Sequence, residues 1–144
     1  MSALAKNYNR RKIAFKKGKG SFLYSVNGKK YLDFVQGIAV NSLGHANPHL
    51  IKAMNKQAIK VWHVSNAFII PEGEKLAKRL SQKTFADNVF FQNSGTEATE
   101  AAIKVARRYF YSKGKPHKNR IITIKGSFHG RTIAAIFASG SKKM

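Results

Sequence analysis

A chain of 144 residues with 43% hydrophobic and 11% aromatic side chains is long enough to bury a core and too apolar for a disordered segment. It has no cysteine, which excludes disulfides, thiolate catalysis and cysteine metal sites within it, and no apolar run approaches the roughly 18 residues of a membrane span. Its 27 Lys and Arg against 6 Asp and Glu give a net charge of +21, which points either to a nucleic-acid or membrane-surface partner or to a general lysine-rich composition. Twenty of the basic residues are Lys and seven are Arg, scattered along the chain, whereas base readers lean on bidentate Arg. Acid is missing chiefly after Glu100. A piece of a longer, more acidic protein would show the same imbalance.

Residues 21–34 alternate apolar and polar side chains on both sides of Asn27-Gly28, a strong hairpin signal, so two short strands are expected there. Asn47 before Pro48 is an N-cap with proline at the first helical position, and Leu50, Met54, Ala58 and Val61 follow at helical spacing. A second amphipathic helix begins at Pro71, with Glu72 and Glu74 in its first turn, Leu76 and Leu80 on one face and Lys78, Arg79 and Lys83 toward its end.

The second half alternates differently. The apolar run Asn88–Gln92 has strand propensity, Asn93-Ser94-Gly95 is a turn, and residues 96–110 are rich in helix formers. After the breaker at 113–118, residues 120–125 read as another strand, and Gly126–Thr132 leads into IAAIFAS (133–139), which reads as a third long helix. Strand and helix alternation predicts an α/β fold with a mainly parallel sheet.

Two turns are candidate sites. Ser94-Gly95-Thr96-Glu97 opens a helix after a strand, where N–H groups lack intrahelical acceptors and the dipole is positive. The segment therefore suits a phosphate, with Gly95 allowing close approach and the Thr96 hydroxyl adding a donor. By itself it reads first as a capping box, Ser94 with Glu97 three residues on. Gly126–Thr132 follows the next strand and so falls on the same sheet edge. There Phe128 is either a flat ring face for a ligand or a core residue, and Arg131 either takes a carboxylate through two hydrogen bonds or is solvated. His45, His49, His63 and His129 form no metal-ligand pattern, Glu97 and Glu100 belong at a helix start, and no Ser, His and Asp spacing supports a hydrolytic triad.

GIAVNSLGHANP (37–48), VWHVSNAF (61–68), FQNSGTEATEAAIKVAR (91–107) and GSFHGRT (126–132) closely resemble the class III aminotransferases, which use pyridoxal 5'-phosphate. The likeness runs in order from about Tyr8 to the last residues. SGTEA and FHGRT are shared across that class, whereas GIAVNSLGH and WHVSN favour its N-acetylornithine branch over ornithine and succinylornithine relatives.

The resemblance implies a fold type I transferase: residues 1–45 as an N-terminal segment with a β-hairpin and 46–144 as an incomplete large cofactor-binding domain. It assigns Ser94, Gly95 and Thr96 to the cofactor phosphate, Phe128 to stacking on the pyridine ring, and His129 to the position beside it without a proton-transfer role. Arg131 corresponds to the arginine for the substrate α-carboxylate, and Val40 and Asn41 to a segment near the substrate entrance. Asn27 stands where relatives often have Asp. The family's Schiff-base lysine, its acidic partner for the pyridine nitrogen and a second substrate arginine lie downstream of this sequence. It is therefore expected to be the N-terminal part of a longer enzyme, with no catalytic residue of its own and no metal. The implied activity moves the amino group of N-acetylornithine to 2-oxoglutarate, in a cytoplasmic homodimer with amino-acid and 2-oxo-acid substrates and neither nucleic acid nor membrane as partner. The runner-up is an ornithine- or succinylornithine-type aminotransferase of the same class; outside the class, the competing reading is a small basic nucleic-acid-binding module, distinguished by a steep loss of affinity with salt. The first 20 residues hold seven basic and no acidic residues, yet resemble the mature start of bacterial relatives more than a transit peptide.

Overall fold

A computed structural model describes residues 3–140. The chain divides into two compact units, one ending at Ile69 and one starting at Ile70.

In the first unit, β1 (Phe15–Lys19), β2 (Phe22–Ser25) and β3 (Lys30–Leu32) form an antiparallel sheet in the order β1-β2-β3. The expected hairpin is β2–β3, with Phe22 opposite Leu32 and Tyr24 opposite Lys30. Its loop has four residues, 26–29. The Gly28 N–H donates to Ser25 O at 3.0 Å and the Ser25 N–H to Lys29 O at 2.9 Å. Three of the five residues of β1 are lysines, so it carries no apolar alternation, and its place comes from pairing with β2 through a bulge between Phe15 and Lys17.

Past the sheet, Asp33 Oδ1 accepts from the N–H groups of Val35 (3.0 Å) and Gln36 (2.8 Å), starting the single turn α1 (Gln36–Ala39). That turn is left-handed, with φ of 53° at Gln36, 65° at Gly37, 63° at Ile38 and 62° at Ala39. Each non-glycine residue there costs about 1–2 kcal/mol, and β-branched Ile38 is the least suited. Asp33 Oδ2 meets His45 Nε2 at 2.7 Å. His45 and Gly20 exchange backbone hydrogen bonds of 2.8 and 2.9 Å. A Cβ on Gly18 would lie 2.5 Å from the His45 ring, so only glycine lets β1 approach it.

Helix α2 (Pro48–Ala58) starts where expected, Asn47 Oδ1 accepting from His49 N–H (3.0 Å) and Leu50 N–H (3.4 Å). It stops short of Val61.

The second unit holds α3 (Pro71–Ser81), α4 (Gly95–Ser112) and α5 (Ile133–Ser139), all at expected positions. The expected strands at 88–92 and 120–125 do not form. Among the described residues the only sheet is the antiparallel one, and the expected mainly parallel sheet is not formed there. β-branched and aromatic residues confer propensity, but a ladder needs a neighbouring strand, and neither segment pairs with one. Their apolar side chains are correspondingly open, Phe90 at 72% and Ile122 at 98% exposure. Among the described residues Ala135 is the only buried apolar side chain. The stripes that made α2 and α3 legible, Met54 and Leu76 among them, face solvent. No described helix is long and apolar enough to cross a membrane.

The hydrogen bond from the Gln36 N–H, then His45 and the Val35 N–H, hold the Asp33 carboxyl below its ordinary range. A folded-state pKa below the unfolded one means the clamp's stabilisation is complete above about pH 4 and is lost as pH falls through the lowered value. Amide exchange at Val35 and Gln36 should therefore accelerate beyond its intrinsic pH dependence as the medium is acidified below pH 4. Asp33→Asn should abolish that added dependence.

Candidate functional site

The N-terminus of α4 organises the site. Ser94 is its cap: the hydroxyl accepts from the Glu97 N–H at 3.3 Å and donates to the Glu97 carboxylate at 2.8 Å, while Asn93 Nδ2 reaches the same carboxylate at 3.4 Å. The capping box is thus formed, and it occupies the Glu97 N–H. The N–H groups of Gly95 and Thr96, in the first turn, have no intrahelical acceptor and lie at the positive end of an 18-residue helix. Apart from its chain neighbours and its own helix backbone, nothing lies within 4 Å of a Cβ built on Gly95, so a ligand can approach the backbone. Cap and anion site are therefore compatible at this turn.

The second motif is brought onto the same turn. Gly130 is buried with φ of +130°, and a Cβ there would lie 2.4 Å from Thr96 Cβ and 2.9 Å from Thr96 Cα. Only glycine permits this approach. Two residues on, the Thr132 hydroxyl lies 3.1 Å from that of Thr96 and donates to the Glu100 carboxylate. With its proton given to Glu100, Thr132 can only accept from Thr96, so the polarity runs Thr96 to Thr132 to Glu100. At the other end of the loop, the Gly126 N–H donates to Ser139 O at 2.8 Å, tying it to the end of α5.

Within that loop Phe128 is 71% exposed and the Arg131 guanidinium stands 5.9 Å from its ring centre. Phe128 is therefore not a core residue, and Arg131 is exposed, as the solvated reading also requires. His129 differs, being half-buried with a shielded Nε2 that has no hydrogen-bond partner among the described residues. Ser94, Gly95 and Thr96 are thus joined to the loop carrying Phe128, His129 and Arg131. Val40, at 76% exposure, and the half-buried Asn41 lie just after α1 in the first unit.

Sequence reasoning missed Gly130, Thr132 and Glu100 as the link between the motifs. A glycine inside FHGRT was the available signal, since a loop residue lacking a side chain marks a close backbone approach. It also passed over Asp33, whose role depends on a histidine 12 residues away.

The chain belongs to the class-III aminotransferases, whose family model matches residues 3–144. The members of that class depend on pyridoxal phosphate. Acetylornithine aminotransferase from Agrobacterium fabrum is 60% identical over 136 residues, 94% of this chain and 34% of that protein. The crystal structure of N-acetylornithine aminotransferase from Stenotrophomonas maltophilia superimposes with a TM-score of 0.77 at 41% identity, over 85% of this chain and 34% of that one. An (S)-enantioselective ω-transaminase from Thermomicrobium roseum reaches a TM-score of 0.90 at 28% identity, over 99% and 34% of the two chains. The chain thus spans about a third of the length of the curated relatives it matches.

The residues present fit that cofactor chemically, offering first-turn N–H donors for a phosphate and an exposed aromatic ring for a flat heterocycle.

Gly130→Ala should cost roughly 2–6 kcal/mol, about 1–3 from overpacking on Thr96 and about 1–3 from backbone strain. Gly114→Ala, at φ of +70° in open space, carries only the strain and serves as the control. Thermal melting of both variants checks the difference.

Proposed function

We propose that this chain supplies the phosphate- and ring-binding part of a pyridoxal-phosphate transaminase that moves the amino group of N-acetylornithine to 2-oxoglutarate. The observation that carries the reading is the seating of Gly130 on Thr96, which joins the two motifs at one helix N-terminus. Relatives named for acetylornithine, at 60% and 52% identity, support the amino donor.

In this reading residues 46–144 belong to the large cofactor-binding domain and 1–45 form the segment preceding it. The Gly95 and Thr96 N–H groups hold the phosphate, where the helix dipole favours a dianion. The Thr96 hydroxyl, which donates to Thr132 in this structure, adds a further donor by turning toward the phosphate. Phe128 stacks on the pyridine ring and sets its plane. His129 borders the ring site without moving a proton. Arg131 takes the α-carboxylate of the amino acid in a bidentate pair and so orients the reacting carbon. Val40 and Asn41 line the approach of the substrate. The bound cofactor supplies an electron sink for the carbanion formed at that carbon. A cytoplasmic homodimer goes with this reading through the family likeness alone.

The reading separates two substitutions in a protein that carries this chain at the length of its relatives. Thr96→Ala should weaken pyridoxal phosphate binding to the apo form roughly ten- to a hundredfold, the worth of one hydrogen bond to a charged group. Arg131→Ala should leave cofactor affinity nearly intact and raise KM for the amino acid. Titration with pyridoxal phosphate, followed by steady-state kinetics, distinguishes them. Equal cofactor affinity in Thr96→Ala and the unsubstituted protein refutes the phosphate assignment.

A further inference from the structure

A left-handed turn containing three non-glycine residues persists only where its surroundings hold it. The holding contacts over Gln36–Ala39 converge on one carboxylate. Asp33 Oδ1 takes the N–H groups of Val35 and Gln36, which begin the turn, and Oδ2 takes His45 Nε2 at 2.7 Å. His45 is itself immobilised, by its backbone pair with Gly20 and by its ring against Gly18. The turn then closes internally: the Val40 and Asn41 N–H groups both donate to Gln36 O, at 2.9 and 3.0 Å, and the Gly44 N–H donates to Asn41 O at 2.8 Å. Residues 33–45 therefore form a loop clamped at its base by a side-chain pair, with Val40 exposed beyond the strained turn.

We infer that Asp33 and His45 are positioning residues, whose pair closes the base of the 33–45 loop and holds the left-handed turn that presents Val40 and Asn41 to the amino-acid substrate. The inference rests on the reading of Val40 and Asn41 as a substrate-side segment. Neither Asp33 nor His45 touches the substrate; each acts through the turn. Removing the carboxylate leaves two N–H groups and an imidazole without their acceptor, and the turn is free to relax to the right-handed or extended backbone that Gln36, Ile38 and Ala39 prefer. Displacing a binding group by about 1 Å costs up to a hundredfold, and when the lost contact is shared by ground and transition states it appears in KM with kcat held.

The test uses the holoenzyme at the length of the relatives, with three readouts: KM and kcat for the amino donor, pyridoxal phosphate affinity, and amide exchange at Val35 and Gln36. Asp33→Ala should raise KM roughly ten- to a hundredfold, leave kcat and cofactor affinity near their starting values, and accelerate exchange at both amides. Asp33→Asn should restore most of KM, because its Oδ1 still accepts from the turn and its Nδ2 can donate to a neutral His45. Asn41→Ala reports on the substrate-side reading directly. If Asn41→Ala raises KM and Asp33→Ala does not, the positioning inference is overturned while the substrate-side reading stands. If neither moves KM, the substrate-side reading fails and takes the inference with it. Should Asp33→Ala not fold, His45→Gln loosens the same clamp and keeps the carboxylate, and an unchanged KM with accelerated exchange at Gln36 overturns the inference equally.

Discussion

The absence of one side chain governs the candidate site. Gly130 lies so close to Thr96 that any Cβ would overlap its Cβ, and this approach sets the 126–132 loop on the first turn of α4. Everything chemically suggestive in the second unit depends on that approach. The Thr96 to Thr132 to Glu100 chain of hydrogen bonds spans it, and Phe128 and Arg131 are held open beside it. A helix N-terminus by itself is a weak anion site. Here an aromatic ring and a guanidinium are carried by a loop docked on it, and the proposed phosphate, ring and carboxylate assignments rest on that arrangement.

Hydrogen bonding at the α4 terminus makes the two readings of SGTE compatible. A helix has four N–H groups to satisfy at its start, and the Ser94 hydroxyl takes that of Glu97. Capping therefore leaves the Gly95 and Thr96 donors to an outside acceptor. Glu97 turns back onto Ser94 and Asn93, and Glu100 receives Thr132, so both carboxylates have partners among the described residues. Arg131 is the cation carried by the docked loop, and the other donors named at the site are backbone and hydroxyl groups.

The first unit uses a different device. Its sheet is small and largely solvated, and the left-handed backbone at Gln36–Ala39 adds strain. A carboxylate with three partners offsets that strain locally, where a packed core would otherwise do so. The lysines of β1 fit the same economy of burial: Lys17 lies 5.0 Å from the Tyr24 ring centre, across the pair from β1 to β2.

Local rules made the helices legible. Asn47-Pro48, Pro71 with Glu72 and Glu74, and Ser94 with Glu97 all mark starts that the structure keeps, because a side-chain cap, a first-position proline or first-turn acids act within four residues of sequence. The hairpin at Asn27-Gly28 was legible for the same reason. What sequence could not decide is pairing. Residues 88–92 and 120–125 have strand composition and no ladder, whereas lysine-rich β1 has a ladder and little strand composition, since hydrogen-bond partners come from elsewhere in the chain. The candidate side chains, and the family likeness joining them, were likewise readable from local motifs. Their assembly was not: Gly130 meets Thr96 across 34 residues of sequence, and Asp33 meets His45 across 12, and only the folded backbone brings either pair within contact distance.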